Sequence, residues 1–384
     1  MTGFDDVFAP IGCDEFLRTY WLKQPIYVPG KRAQFGGLLT WDDLNAILEE
    51  HRLAPPRLKL YNDGKQIDPS QYLTPQVYGV PRIDAGGLAV AIAGGATVVL
   101  DDVQEAAPKV RNLIESFQLA LRTDAYANLY AGWHGQKALD LHWDPQEAIV
   151  LQLSGRKHWK VYAPTRENPI KHDIEPALPP TEAAIWAGIL EDGDALYIPR
   201  GWWHVAFPMN EPSLHLTVSA TPPTGLDYLS WAVARLRGNA KARGSLSSVD
   251  ENAPARVHQL LGEMRAVGSL EEFLLEWDAN IRPNPHIDLI KMAYRQSDLI
   301  TGESVVRLGS AHRLLMVRCG GDFEFTAAGR IWKVPHKLQP AFAQISDAEA
   351  TSVQSLGKNI ADEAWDDLVK SLTVLARAGI ILVD

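Results

Sequence analysis

The stretch LDLHWDPQEAIVLQLSGRKHWKVYAP, residues 139–164, decides the fold. Two runs within it, EAIVLQL and HWKVYAP, are rich in β-branched and aromatic residues, which predicts strands. His142 and Asp144 are two residues apart, and residues at that spacing on a strand point to the same face. We therefore expect one strand face with an imidazole beside a carboxylate, which is either a charged rim or the start of a metal site.

A second histidine, His204, offers the remaining ligand of such a site. It lies far along the chain, in the segment EDGDALYIPRGWWHVAFP. Two histidines and one carboxylate form the facial triad that binds Fe(II) and leaves positions open for other ligands. Asp140 shares the predicted strand face of His142 and is the alternative carboxylate. The spacing of these residues alone leaves both choices open.

The composition indicates a folded chain of more than one domain without a broad basic surface. Its 384 residues exceed the length at which single cores stop growing, about 250–300 residues. The net charge of −10 argues against a nucleic-acid binder that relies on a basic face. Two cysteines, Cys13 and Cys319, cannot form a disulfide framework or a multi-cysteine zinc site, and they suit a reducing cytoplasm.

The sequence shows neither a secretory signal nor a membrane span. The N-terminal segment MTGFDDVFAP lacks both a basic region and a long apolar region. The longest apolar stretch, GGLAVAIAGGATVVL at 86–100, is broken by four glycines and is too short to cross a bilayer. We therefore expect a soluble cytoplasmic protein that has no membrane partner.

Residues 126–221 have the pattern of an all-β unit. Short β-type runs alternate with turn signals, including Ser154-Gly155 and Asp192-Gly193-Asp194. This pattern predicts a sandwich or jelly roll rather than a parallel βαβ sheet. Neither GxGxxG nor GxxxxGK[ST] occurs, so the sequence gives no support for a nucleotide-binding fold. Helical spacing predicts helices before this unit at 13–22, 40–51 and 108–122.

Helices return after Pro222. Apolar residues at helical spacing predict helices at 227–238, 255–266 and 270–281. The final part of the chain, residues 296–384, has an element order compatible with a winged helix. It contains 9 Lys and Arg against 11 Asp and Glu, whereas a winged helix that grips DNA should be basic. We therefore expect no direct DNA binding.

The segment HWDPQEAIVLQLSGRKHWKVYAP, followed by LEDGDALYIPRGWWHVAF and SLHLTVS, resembles the JmjC-type cupin hydroxylases called ribosomal oxygenases. The resemblance covers residues 10–225 and extends to the order of the later domains. It implies a mainly β catalytic domain, a double-stranded β-helix with flanking helices, over 1–224. It also implies a helical dimerisation region over 225–295 and a winged-helix-like α+β unit over 296–384. The implied metal is Fe(II), with 2-oxoglutarate and O₂ as co-substrates.

Within this resemblance His142, Asp144 and His204 match the iron ligands, and Asp140 does not. Lys157 matches the lysine that pairs with the distal carboxylate of 2-oxoglutarate. A buried dianion needs such a cation, because its carboxylate would otherwise be unpaired in a medium of low dielectric constant.

Three further residues are assigned to the co-substrate pocket. Asn128 and Ser213 match residues that hydrogen-bond 2-oxoglutarate, and Tyr130 shares the face of Asn128 and is expected to form a wall. His215 alternates with Ser213, and we interpret it equally as a buried core histidine or a functional one. Leu139 stands where relatives that hydroxylate transcription factors have a threonine, which places the sequence with the ribosomal branch.

The resemblance implies a dioxygenase that hydroxylates a histidine or arginine of a ribosomal protein. A second hypothesis is a tailoring hydroxylase for a biosynthetic peptide or a free amino acid. A third is a cupin scaffold that only binds a partner, which the triad and the lysine together disfavour. Because the helices of 225–295 carry many apolar residues, we also expect a homodimer formed through this region.

Overall fold

The structure is a computed structural model of the 384-residue chain. It describes residues 2–75, 79–135, 137–171, 173, 178–281, 300–309, 314, 316–327, 329–347 and 350–383. The chain divides into two compact units. The first unit comprises Met1–Ala120 and Ala125–Thr221, and the second comprises Leu121–Asp124 and Pro222–Asp384. All residues assigned to the candidate site lie in the first unit.

The described elements of the first unit confirm the predicted mixture of early helices and later strands. The helices are α1 (Phe4–Phe8), α2 (Cys13–Glu15), α3 (Trp41–Glu50), α4 (Ala85–Ala93) and α5 (Pro108–Leu121). The early strands are β1 (Ile26–Val28), β2 (Leu58–Asn62), β3 (Lys65–Gln66), β4 (Thr97–Leu100) and β5 (Asp124–Gly132). The later strands are β6 (Glu147–Ser154), β7 (Lys157–Tyr162), β8 (Trp186–Leu190), β9 (Ala195–Ile198), β10 (Trp203–Pro208) and β11 (Ser213–Thr221).

The helix predicted at 40–51 begins where its sequence signal indicates. The Thr40 hydroxyl accepts the N–H of Asp43 at 3.1 Å, and the Asp43 carboxylate accepts the N–H of Thr40 at 2.8 Å. This reciprocal pair satisfies donors that the first turn of a helix leaves free. The helix predicted at 13–22 is confirmed as α2 followed by a π-helical turn at Phe16–Tyr20.

The strands of the first unit form two sheets. The larger has eight strands in the order β1-β9-β6-β11-β5-β4-β2-β3, and the smaller has three in the order β10-β7-β8. The described pairs are antiparallel, including β6 with β11 and β7 with β10. The predicted antiparallel double-sheet architecture is confirmed. One of its core clusters consists of Ala148, Val150, Trp159, Val161, Leu190, Leu196 and Ile198.

The prediction that His142 and Asp144 share a strand is wrong. Both residues lie in the segment between β5 and β6, where only His142 takes part in an isolated β-bridge. Pro145 follows Asp144 directly, and a proline has no N–H to donate to a ladder. The segment therefore remains a loop, and other contacts bring its side chains together.

The second unit is described as three helices followed by a small α+β region. The helices predicted after Pro222 are confirmed as α6 (Gly225–Arg235), α7 (Ala253–Arg265) and α8 (Leu270–Asn280). The α+β region contains β12 (Val305–Leu308), β13 (Val317–Cys319), β14 (Asp322–Ala327), β15 (Arg330–Pro335), α9 (Gln339–Asp347), β16 (Thr351–Ser352), α10 (Val353–Gly357), α11 (Trp365–Arg377) and β17 (Ile381–Val383). Two three-stranded sheets, β16-β12-β17 and β13-β14-β15, surround a core that includes Phe323, Phe325 and Phe342.

The interpretation of this region as a winged helix stays a prediction, as does the division at residue 295. In the described part of the chain, no helix is both long enough and apolar enough to cross a membrane.

The turn before β9 is held closely against the segment that follows β1. The Asp194 carboxylate accepts the N–H of Gly30 and the hydroxyl of Tyr27, each at 2.9 Å. Gly193 has a φ of +99°, and a Cβ atom at this position would overlap the carbonyl oxygen of Lys31. Only glycine fits here without a backbone shift.

We expect Gly193→Ala to lower the free energy of unfolding by about 2–4 kcal/mol, because it adds both a steric overlap and a strained φ. Urea or thermal unfolding measures the loss. Gly37→Ala is the matched control, since Gly37 has an ordinary φ and nothing within 4 Å of the added carbon. Similar stabilities for the two variants would contradict the close approach at Gly193.

Candidate metal centre and adjoining cavity

Two backbone hydrogen bonds bring the predicted metal ligands together. The N–H of His142 donates to the carbonyl of His204 at 3.2 Å, and the N–H of His204 donates to the carbonyl of His142 at 2.7 Å. The N–H of Gly201 donates to the carbonyl of Asp144 at 3.0 Å. The loop before β6 is therefore held against the start of β10, and this arrangement replaces the single strand that was predicted.

The three side chains form a compact cluster. His204 Nε2 lies 3.5 Å from Asp144 Oδ2, and His142 Nε2 lies 3.9 Å from Asp144 Oδ1. One ligand atom from each residue falls within 4.8 Å of the others. Nitrogen and oxygen ligands bind first-row metals at about 2.0–2.2 Å, so a single ion fits between these atoms. Asp140 is outside the cluster, and its carboxylate contacts Lys137 Nζ at 2.8 Å.

Backbone carbonyl groups orient both imidazole rings. His142 Nδ1 donates to the carbonyl of Asp140 at 2.7 Å, and His204 Nδ1 donates to the carbonyl of Trp202 at 3.1 Å. A carbonyl can only accept, so each Nδ1 carries a proton, and in the neutral form of each ring Nε2 has the lone pair that a metal needs. This is the usual way in which an outer partner prepares a histidine for a metal. Asp140 therefore contributes its carbonyl group to the centre.

The protonation states of the cluster suit a cation. Burial, together with the nearby His204, lowers the pKa of His142, which favours the neutral ring. Burial alone would raise the pKa of Asp144, but the hydrogen bond from His204 and the neighbouring charges lower it. Burial opposes the charged form of His204, yet the hydrogen bond to Asp144 and its charge raise the pKa of that ring. A bound cation would take the place of the proton shared by His204 and Asp144.

A cavity between the two sheets of the first unit opens onto this cluster. It is lined by Tyr130, Ala138, Leu139, His142, Asp144, Ala148, Val150, Lys157, Trp159, Ile198, His204, Ala206, His215 and Thr217. In the β7–β10 register Val161 is opposite His204, and Lys157 lies at the other end of β7, opposite Pro208. The wall of the cavity therefore includes both the predicted metal ligands and Lys157.

Lys157 is a buried cation that lacks an anionic partner. Its residue is 3% exposed, and its Nζ lies 5.9 Å from the ring centres of both Tyr130 and Trp159. No residue in the described ranges forms an ion pair or hydrogen bond with it, and burial lowers the pKa of Lys157 to about 7. An unpaired buried ammonium is energetically unfavourable. This environment fits an anionic ligand in the cavity.

The other predicted pocket residues are placed differently. Tyr130 lines the cavity, and its ring stacks on His215 with centres 4.8 Å apart. Asn128 is absent from the wall, and its Oδ1 accepts the N–H of Asp102 at 3.3 Å. Ser213 is also absent from the wall, and its hydroxyl accepts Gln152 Nε2 at 3.0 Å. The structure thus brings Tyr130, but neither Asn128 nor Ser213, to the cavity.

Sequence reasoning left three wall residues without a role. His215 and Thr217 line the cavity from β11, and Trp159 lines it from β7. Strand alternation could have pointed to two of them, because His215 and Thr217 lie at alternate positions from Ser213 and are therefore expected on the same strand face. Alternation identifies the face of a strand but does not show which residue of that face reaches the cavity.

This fold and cluster define a cupin-like β domain with a His-Asp-His cluster that could hold a metal ion. Residues 102–228 match the family model described as a JmjC domain. This part of the chain is therefore similar to JmjC domains, and the resemblance noted in the sequence is confirmed.

Curated relatives carry the names that this resemblance implied. The chain is 29% identical over 224 residues to the bifunctional lysine-specific demethylase and histidyl-hydroxylase NO66 of Drosophila persimilis, covering 56% of this chain and 31% of that protein. It is 30% identical over 224 residues to ribosomal oxygenase 1 of Gallus gallus, covering 55% of this chain and 35% of that protein. The chain thus spans about a third of the length of these relatives.

Solved structures of YcfD, a ribosomal oxygenase from Escherichia coli, have the same fold. One crystal structure aligns with a TM-score of 0.62 and 18% identity, covering 97% of this chain and 98% of YcfD. Another, of YcfD in complex with cobalt and 2-oxoglutarate, aligns with a TM-score of 0.57 at the same coverage. At this identity the likeness establishes the fold alone.

We predict that His142, Asp144 and His204 bind the metal through their side chains and that Asp140 does not. Replacing any of the three by Ala should weaken Mn(II) binding by about 100-fold or more, since loss of an outer partner alone weakens metal sites by 10–100-fold. Titration calorimetry or the Mn(II) electron paramagnetic resonance signal gives the affinity. Asp140→Ala is the control, because it keeps the carbonyl that orients His142. Unchanged binding in His204→Ala would exclude the triad.

Proposed function

We propose that the protein is an Fe(II)- and 2-oxoglutarate-dependent oxygenase that hydroxylates a histidine or arginine of a ribosomal protein in the cytoplasm. The observation that carries the proposal is one cavity with the His142, Asp144 and His204 cluster on its wall and the unpaired Lys157 at the other end of β7. The names of the relatives and the 2-oxoglutarate in a YcfD structure support it.

The residues of this chain would bind and orient the reactants. His142, Asp144 and His204 would hold Fe(II), and Lys157 would pair with the distal carboxylate of 2-oxoglutarate. When bound, the iron with 2-oxoglutarate and O₂ supplies the oxidation of an unreactive C–H bond. Apolar residues of the wall, such as Val150 and Ile198, keep water away from the reacting groups.

The predicted roles of Asn128 and Ser213 remain part of the proposal and require a local change. Asn128 would have to release the N–H of Asp102, and Ser213 would have to release Gln152, before either hydrogen-bonds the ligand. Tyr130 needs no such change, because its ring already lines the cavity next to Lys157.

Mass spectrometry of ribosomal proteins tests the activity directly. In a deletion strain, we expect one ribosomal peptide to lose the mass of a single oxygen atom at a histidine or arginine. The intact gene should restore this oxygen, and the His204→Ala gene should not. Ribosomal peptides of identical mass in the wild-type and deletion strains would overturn the proposal of a ribosomal-protein substrate. Accumulation of an unhydroxylated peptide or amino acid would point to a tailoring hydroxylase instead.

Lys157 should couple the binding of 2-oxoglutarate to the uptake of a proton. Its pKa of about 7 leaves the amine mostly neutral at pH 8, and the arriving dianion favours the charged form. Binding to Mn(II)-loaded protein at pH 8 should therefore take up nearly one proton, and affinity should fall up to about tenfold per pH unit above 7. Calorimetry in buffers of different ionisation enthalpy measures the uptake.

Two substitutions separate charge from titration at this position. Lys157→Ala should weaken 2-oxoglutarate binding by roughly 2–5 kcal/mol, because it leaves a carboxylate unpaired. Lys157→Arg keeps a permanent positive charge and should abolish the proton uptake while retaining part of the affinity. Wild-type affinity in Lys157→Ala would remove this residue from the site.

We also propose that residues 225–295 form a homodimer interface and that 296–384 is a winged-helix-like unit that does not contact DNA. Each of the three helices exposes apolar side chains at helical spacing. These are Leu226, Leu229 and Val233 on α6, Val257 and Leu261 on α7, and Leu270 and Leu274 on α8. Exposed apolar stripes of this kind are usually covered by a partner. A second copy of the chain supplies an identical stripe.

Light scattering at micromolar concentration should give about twice the chain mass of 42.5 kDa. The double substitution Leu229→Glu and Val233→Glu places charges in the proposed interface and should return the mass to that of one chain. Val374→Glu is the control, since Val374 is exposed to a similar extent on α11, outside this region. Monomeric wild-type protein would overturn the dimer.

A further inference from the structure

Two buried nitrogen atoms in side chains that line the cavity have no hydrogen-bond partner among the described residues. They are His215 Nδ1 and Trp159 Nε1. Their residues are 2% and 5% exposed, and both line the same cavity as Lys157. Buried polar atoms in folded proteins almost always have a partner. A hydrogen-bonding ligand in the cavity would be placed to supply a partner for both of them.

The rings around Lys157 fix the position of His215. The imidazole lies parallel to the Tyr130 ring, at 2° and 4.8 Å between centres. Trp159 meets the imidazole edge-on, at 81° and 5.6 Å. Lys157 Nζ is 5.9 Å from the ring centres of both of these neighbours. The histidine is thus held from two sides by the same rings that surround the ammonium group.

The electrostatic environment keeps His215 uncharged. Burial, with a contribution from the nearby Lys157, lowers the pKa of this imidazole well below its usual value. A neutral imidazole carries one N–H, and an indole is always a donor. The region around Lys157 therefore offers one cation and two neutral donors. A carboxylate has two oxygens with about four acceptor sites, so it can satisfy all three groups.

We propose that His215, with Trp159 beside it, donates hydrogen bonds to the carboxylate that Lys157 holds and so helps to select 2-oxoglutarate. The inference rests on the proposed function and names residues beyond those that the sequence suggested. It gives a partner to two nitrogens that otherwise have none. It also supplies neutral donors in a cavity that Asn128 and Ser213 do not line.

A structural role for His215 is the competing explanation. Gln152 is opposite His215 in the β6–β11 register, and Gln152 Oε1 is also buried without a partner. The Gln152 amide nitrogen is fixed by the carbonyl of Ser154 at 2.9 Å and by Ser213 Oγ at 3.0 Å. A small shift of the ring would let His215 donate to this oxygen. In that case the histidine would join two strands and would not contact a ligand.

The two explanations differ in which ligand the substitution affects. We would measure the affinity of Mn(II)-loaded full-length protein for 2-oxoglutarate and for 2-oxopentanoate by calorimetry. The second compound has the same chain length and the same metal-binding end but lacks the distal carboxylate. His215→Phe keeps a ring for the stack on Tyr130 and removes both nitrogens. We expect it to weaken 2-oxoglutarate binding by about tenfold or more and to leave 2-oxopentanoate binding unchanged.

Further variants make the result specific. Trp159→Phe removes the indole N–H and should also reduce the preference for 2-oxoglutarate. His215→Asn, whose amide can occupy the place of Nδ1, should recover part of the preference. His158→Phe is the matched control, because His158 alternates with Trp159 on β7 and is absent from the cavity wall. If His215→Phe does not fold, His215→Leu replaces it as a smaller side chain without nitrogen.

If folded His215→Phe or His215→Leu protein keeps the wild-type preference for 2-oxoglutarate over 2-oxopentanoate, the inference is overturned. The histidine would then have the structural role, as a hydrogen-bond donor to Gln152. Equal weakening of both compounds would overturn the inference too, because that pattern reports general damage to the site. A wild-type protein that fails to distinguish the two compounds would instead refute the proposed co-substrate. Failure of the inference and failure of the proposed function are therefore distinguishable.

Discussion

The reciprocal pair of backbone hydrogen bonds between His142 and His204 is the contact on which the candidate site depends. An antiparallel pair of this kind places two side chains on the same face within a few ångströms. Here it joins a loop to the start of β10, and the two ring centres are 4.4 Å apart. Gly201 adds the bond to the Asp144 carbonyl, and it has a φ of +83° with Pro169 Cδ only 2.7 Å from where a Cβ would lie. The predicted metal ligands are therefore positioned by main-chain contacts, which a change of side chain elsewhere does not readily disturb.

The cavity combines groups that are unfavourable without a ligand. Asp144 is held ionised at the metal cluster, while Lys157 and the unpartnered nitrogens of His215 and Trp159 lie along the same wall. These groups depart from the usual rule that buried polar atoms have a hydrogen-bond partner. Unpaired buried groups are expected at functional sites, because a bound ligand can supply the partners that the protein itself does not.

The sequence predicted which residues come together at the candidate site, but it did not predict which further residues line the cavity. The pairing of His142 with a nearby carboxylate followed from spacing, while the choice of Asp144 and the role of Lys157 followed from the resemblance to ribosomal oxygenases. The prediction of a strand through His142 was wrong, because Pro145 and the bridge to His204 keep this segment as a loop. Alternation likewise placed Ser213 and His215 on one face of β11, yet only His215 lines the cavity. Position along a strand depends on register, and the β6–β11 register shifts between Leu214 and His215.

The helices of the second unit differ in how they obtain their stability. α11 buries Leu368, Leu372 and Leu375 in the core of its own α+β region. α7 buries no residue, and α6 buries only Ala232, although both carry apolar side chains at helical spacing. Polar contacts join these helices to their neighbours, such as Lys241 Nζ with the Glu263 carboxylate at 2.8 Å, but exposed ion pairs contribute little. Helical stability in proteins comes mainly from packing of an apolar face. The homodimer proposed above would cover the exposed apolar faces of α6 and α7, because a two-fold pair lets the same set of helices pack against itself in both copies.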